Sequence, residues 1–121
     1  YQPQLALVCR EGSRFYVNVH LGGKFASFYA DINAGIDTTS LRYRAGNKPA
    51  ELVDAPRSEN HETAYLEDGA QIIRDLSGAS QMLVEVNLVS GFGKKEFLFT
   101  FDTRGLDAHL PLLTKHCPGQ L

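Results

Sequence analysis

Residues 81–102 read QMLVEVNLVSGFGKKEFLFTFD, and this stretch decides the fold. Val84, Val86 and Leu88 recur at every second position of its first half, and Phe97, Phe99 and Phe101 do the same in its second half. A period of two belongs to an extended chain whose successive side chains point to opposite faces, so each half predicts a strand with one face buried. Ser90-Gly91-Phe92-Gly93 between them supplies a connection, and the pair reads as antiparallel strands. The same pattern continues on either side. Segment 14–21 places Phe15, Val17, Val19 and Leu21 on one face and Tyr16, Asn18 and His20 on the other. Gly22-Gly23 then turns the chain. Segment 25–32 sets Phe28, Ala30 and Ile32 opposite Phe25, Ser27, Tyr29 and Asp31, and a turn at Asn33-Ala34-Gly35 leads to 36–44 as its expected hairpin partner. A first strand runs from Leu5 to Cys9, and 62–66 is a further short strand.

Elsewhere the period changes. Asp68 is placed to cap a helix ending near Leu76, with Ile72, Ile73 and Leu76 on its buried side and Ser77-Gly78 as its stop. A second helical segment runs from Leu106 towards Lys115, with Leu106, Leu110, Leu113 and Cys117 along one stripe and Pro111 kinking it or opening a new turn. Between Ala45 and Asn60, Gly46, Pro49 and Pro56 punctuate a polar stretch that reads as a surface loop with at most a short strand. The expected fold is α+β: a mainly antiparallel, sandwich-like sheet with a short middle helix and a C-terminal helix. Phe15, Val17, Val84, Val86, Phe97, Phe99 and Phe101 form its expected core.

The 121 residues suit one compact domain over 1–121, 43% of them apolar and 21% charged. Twelve basic against fourteen acidic side chains leave a net charge of −2, which argues against nucleic acid as a partner, since a phosphate-tracking surface carries a basic stripe. No apolar run approaches the length of a membrane span. The chain opens at Tyr1 without Met, the expected appearance of a mature product whose signal peptide has been removed.

Only two cysteines occur, Cys9 and Cys117. They form no C-x-x-C, so a thioredoxin-type redox pair and a ribbon-type zinc site are both excluded. Either they are buried reduced thiols, or the last helix carries Cys117 back to the first strand and a disulfide closes the chain. The bridge is the expectation. It would enclose a loop worth roughly 4.7 kcal/mol in the chain-entropy account and would place the protein in an oxidising compartment, the periplasm or the cell exterior.

The search for chemistry yields little. His20, His61, His109 and His116 have no metal-ligand spacing. Asp31-x-Asn33 with Gly35 and Asp37 lacks the sixth-position glycine and the closing glutamate of a calcium loop. Gly91-Phe92-Gly93-Lys94-Lys95 lies between strands, whereas phosphate-binding glycine loops open a helix. No metal, cofactor or catalytic residue is expected, and neither is enzyme activity. Phe92, Lys94 and Lys95 are the candidate contact with a protein partner, an aromatic at a loop tip beside two lysines.

The order of these segments resembles a known family. Leu5-Ala6-Leu7-Val8-Cys9 opens it, then Phe15-Tyr16-Val17-Asn18-Val19 and the strand end Tyr29-Ala30-Asp31. Gln71-Ile72-Ile73-Arg74-Asp75-Leu76 and Met82-Leu83-Val84-Glu85-Val86 follow. The close is Phe99-Thr100-Phe101-Asp102-Thr103-Arg104-Gly105-Leu106, then Leu110, Leu113 and Cys117. Over roughly 5–117 this is similar to the small periplasmic accessory proteins of bacterial type VI secretion, the TagO or VasI family. The resemblance implies the Cys9–Cys117 pairing and a periplasmic address, and it supplies no catalytic residue. The expected function is therefore that of a non-enzymatic periplasmic binding or accessory protein with a protein partner in the bacterial envelope. The alternative is an inhibitor or immunity-type protein that blocks a toxin or cell-wall enzyme by inserting a loop, 45–60 or 90–94, into its cleft.

Overall fold

The computed structural model describes residues 2–9, 14–23, 26–30, 37–91, 93–118 and 121. Its elements in chain order are β1 (Gln4–Cys9), β2 (Phe15–His20), β3 (Thr38–Ala45), β4 (Glu51–Pro56), β5 (Thr63–Leu66), α1 (Gly69–Leu76), β6 (Gln81–Ser90), β7 (Gly93–Asp102) and α2 (Leu110–His116), with a 3-10 turn at Leu106–Ala108 before α2. Two sheets result, one ordered β1-β2-β5 and the other β4-β3-β6-β7, and every pairing in them is antiparallel. The fold is α+β, as the alternation and the two helical segments predict.

The β6–β7 hairpin pairs from Gln81↔Asp102 to Ser90↔Gly93, which leaves a two-residue turn. Gly91 opens that turn at φ +58°, a left-handed conformation that a side chain with Cβ rarely adopts. The register puts Met82, Val84, Val86 and Leu88 inside, where they meet Phe15, Val17, Val19 and Leu21 from the other sheet. Each such side chain, fully removed from water, contributes about 1.5–3 kcal/mol. Between the sheets at one end lies α1, whose Ile72, Ile73 and Leu76 are buried. Eight residues are too few for a helix to persist alone in water, so packing holds it. Asp68 stands at its N-cap position but makes no side-chain capping bond there, contrary to expectation.

Three further expectations are corrected. Segment 36–44 does not form a hairpin with 25–32: β3 pairs with β4 on one side and β6 on the other. Phe28 instead bridges Leu88, where β3 has diverged from β6, and its backbone N–H donates to the His61 carbonyl at 2.8 Å. Alternation marks 26–30 as a half-buried segment but carries no information about its partner. The turn expected at Asn33-Ala34-Gly35, together with Phe25, Asp31 and Ile32, lies outside the described residues. Residues 51–56, in the stretch read as a surface loop with at most a short strand, form the six-residue strand β4, which is a full member of its sheet and whose exposed Glu51, Leu52 and Asp54 hide its period. Of the three phenylalanines of β7, only Phe99 is buried, while Phe97 and Phe101 are half-buried because β7 is the last strand of its sheet. Pro111 does start a new turn, falling in the first turn of α2 after the 3-10 segment.

Cys9 ends β1 and Cys117 follows α2, and the two form a disulfide with their Cα atoms 6.3 Å apart. Leu110 and Leu113 of α2 pack on the core edge, and Cys117 itself is buried. No helix among the described residues is long and apolar enough to cross a membrane.

Candidate functional site

Each sheet has one strand that lacks a second neighbour on the same flank of the molecule. On the opposite flank the sheets are stitched together, with β4 against β5, an Arg57↔Ala64 bridge and the Phe28 segment spanning from His61 to Leu88. At the β1 and β7 ends, among the described residues, no backbone bridge joins the two sheets, and the connection there is the 103–117 segment with its Cys117–Cys9 bond to the end of β1. Between them opens a groove of about 540 Å³.

Four consecutive residues of β1, Gln4 to Leu7, line this groove. Side chains alternate along a strand, so a run of consecutive lining residues means that the backbone edge itself faces the space. An unpaired strand edge presents a row of N–H and C=O groups that water satisfies until another strand does. Behind that edge the floor is apolar: Leu5, Leu7, Leu76, Phe101 and Leu106.

The rim is polar and braced. Asp102, at the end of β7, accepts the Arg104 backbone N–H at 3.0 Å and the guanidinium through Nε at 3.0 Å and Nη2 at 2.7 Å. These bonds, the guanidinium's first, hold the Asp102 carboxyl at about 2, below its ordinary 3.8, and raise the Arg104 value in turn. Thr103 donates its hydroxyl to the Ala79 carbonyl at 3.1 Å, and its backbone N–H to Ser80 at 3.1 Å. Asp107 accepts from the Ser77 hydroxyl at 3.1 Å and from the Gly78 N–H at 3.3 Å. Segment 103–107 is thereby tied to the end of α1, and the groove wall is fixed before anything enters it. A site of this kind offers backbone pairing, apolar contact and a cationic guanidinium at the mouth, the elements by which an extended peptide adds to a sheet.

The residues singled out from sequence fall elsewhere. Lys94 and Lys95 stand exposed beside the β6–β7 turn, Lys94 lying 5.8 Å from the centre of the Tyr29 ring and Lys95 5.4 Å from that of Phe97. Each thus covers an aromatic face of its own chain. Phe92, the third member of that candidate contact, lies outside the described residues. Among the histidines, His20 Nδ1 is 2.7 Å from the Thr63 hydroxyl, His61 is 3.6 Å from Asp37, and His109 and His116 stand at opposite ends of α2. Among the described residues no group of three His, Cys, Asp or Glu side chains could hold a metal ion. Asp37, weighed as part of a calcium loop, is engaged by Arg57.

The groove itself was not visible in the sequence, because it depends on which strands end up last in their sheets. The signal available was Asp102-Thr103-Arg104-Gly105, a polar tetrapeptide between the phenylalanine strand and the last helical stripe. No family model matches this chain, no characterised protein matches it in sequence, and no solved structure matches it.

Proposed function

We propose that this protein is a non-enzymatic binding protein of the bacterial envelope, acting in the periplasm as an accessory to type VI secretion, and that it holds an extended segment of its protein partner in the β1–β7 groove. The observation that carries the binding reading is the groove: an open strand edge over an apolar floor, with a rim already braced. The Cys9–Cys117 disulfide supports an oxidising compartment. The assignment to secretion rests on the resemblance over residues 5–117.

The test is site-specific photo-crosslinking in the envelope of the native host, with the cross-linker placed in turn at Gln4, on the groove, and at Lys94, beside the hairpin tip. Secretion-machine components captured from Gln4 and not from Lys94 are the expected result. Capture of one toxin or wall hydrolase from Lys94 would mean an inhibitor working through Phe92, Lys94 and Lys95, and would overturn the accessory reading. The other loop available to an inhibitor, 45–60, has the six-residue strand β4 at its middle.

A further inference from the structure

The outer face of the four-stranded sheet carries four residues set directly across its strands: Leu52 on β4, Arg42 on β3, Glu85 on β6 and Leu98 on β7. Leu52 and Leu98, 65% and 61% exposed, are the two most exposed large apolar side chains among the described residues. Arg42 and Glu85 lie between them on paired strands, yet among the described residues neither makes an ion pair or a side-chain hydrogen bond within the chain. Read in one direction the row is apolar, positive, negative, apolar. Read in the other it is its own complement.

We propose that this face pairs two copies of the chain about a two-fold axis running along the strands between β3 and β6. That axis sets Arg42 of each copy against Glu85 of the other, and Leu52 against Leu98. A two-fold interface must be self-complementary, and this row meets that condition with both its charges and its apolar ends. Both ion pairs would close beneath a leucine flank that excludes water, where charge pairs count for more than on an open surface. Rotating the second copy about an axis across the strands would instead oppose Arg42 with Arg42, so the charges choose between the two arrangements.

The interface is small. Four strands at about 4.8 Å spacing, over roughly six residues of strand, give about 400 Å² of projected face, below the area of a standard protein interface. One row further along, Asp54 on β4 and Glu96 on β7 would also meet across the axis, as like charges. The pairing is therefore a weak one, confined to the central rows.

Sedimentation equilibrium on the whole chain tests it, at concentrations up to about 1 mM, where a weak interface is still populated. The native chain is expected to form a dimer. Arg42→Glu and Glu85→Arg, each alone, should weaken association at least tenfold, and an equal mixture of the two should recover a heterodimer. Loss of the Arg42–Glu85 neighbour pair within one chain cannot produce that recovery, because neither variant regains it on mixing. Leu98→Asp, whose side chain faces water in the monomer, provides a second variant should a charge reversal fail to fold, and it too should abolish the dimer. Glu96→Lys would face Asp54 across the axis and should tighten association severalfold. A native chain that stays monomeric throughout, variants that associate like the native chain, or a mixture that forms no heterodimer would each overturn the proposal.

Discussion

Arg57 donates through Nε to Asp37 Oδ1 at 2.6 Å and through Nη1 to the Phe28 carbonyl at 2.7 Å, with only 9% of its side chain in water. One guanidinium thus fastens the Phe28 segment and the approach to β3 to the residue that follows β4. The planar guanidinium reaches these two acceptors from distant parts of the chain with different nitrogens of one rigid fork, whereas lysine has its three N–H groups on a single nitrogen. Arg57→Ala is expected to cost about 2–3 kcal/mol, the value of charge-assisted bonds to a mostly buried group. Arg57→Lys should recover less than half of it. Urea unfolding of the three proteins gives the comparison.

Gly69 reverses a common rule. Alanine usually stabilises a helix by about 1 kcal/mol over glycine. Here a Cβ at residue 69 would lie 2.5 Å from the Phe15 carbonyl oxygen and 2.8 Å from the Tyr16 nitrogen, both of them backbone atoms that cannot rotate away. Gly69→Ala should therefore destabilise the protein, by about 1–3 kcal/mol if overpacking here costs what it does elsewhere. A rise in melting temperature would show that α1 can move off β2.

Phe99 and Leu98 are neighbours in sequence and opposites in burial, at 9% and 61% exposure. Truncating Phe99 to alanine should cost about 3 kcal/mol, the lower end for a buried phenylalanine because its strand is at a sheet edge. Leu98→Ala, measured at micromolar dilution, should change stability by no more than about 0.5 kcal/mol. Equal effects would mean that the register of β7 is displaced by one residue.

The disulfide closes a loop with a sequence separation of 108. In the chain-entropy account a loop of that size is worth roughly 4.7 kcal/mol, and loss of a native disulfide from a small domain costs about 2–5 kcal/mol. Thiol titration of the denatured, unreduced protein is expected to find no free thiol, and reduction should lower the midpoint of urea unfolding without changing the far-ultraviolet spectrum of the native state.

At the rim of the groove, Asp102 has a carboxyl value of about 2 in the folded chain against an ordinary 3.8, lowered chiefly by the Arg104 guanidinium. A group depressed in this way contributes above its unfolded value and loses its contribution as pH falls through the folded one. The Asp102–Arg104 contact should therefore persist at pH 4 and release towards pH 2. Carboxyl carbon chemical shifts followed through an acid titration would locate the midpoint, and a midpoint near 3.8 would show that the contact is not kept in solution.

What could be read in advance was whatever is encoded locally. The β6–β7 hairpin carries its period in Val84, Val86, Leu88, Phe97, Phe99 and Phe101, and its turn in Gly91. The buried side of α1 is written in Ile72, Ile73 and Leu76, and the late restart of the last helix in Pro111. What could not be read depends on neighbours distant in sequence. β4 is screened by its own exposed Glu51, Leu52 and Asp54, and Phe28 finds Leu88 sixty residues further along. Phe97 and Phe101 are only half-covered because no strand follows β7 in its sheet, a fact about strand order that no local pattern contains. The groove and the Leu52–Arg42–Glu85–Leu98 row fail to show for the same reason: each is assembled from three or more elements, and a shift of one position in any of them would dissolve it.

The bond between Cys9 and Cys117 also determines how the molecule carries load. Tension arriving along the backbone at these two residues passes through a covalent link only 6.3 Å long from Cα to Cα, and the strands and helices it encloses lie outside the line of force. Reduced, the same chain would pass that tension on from residue 9 into β2 and the elements that follow it, which would then unfold in turn. In its oxidised form the part of the fold from β2 to α2 behaves as a closed ring under traction: a pull on the two cysteines can drag or turn it but cannot unravel it, and only β1, which precedes Cys9, is left to be drawn off β2.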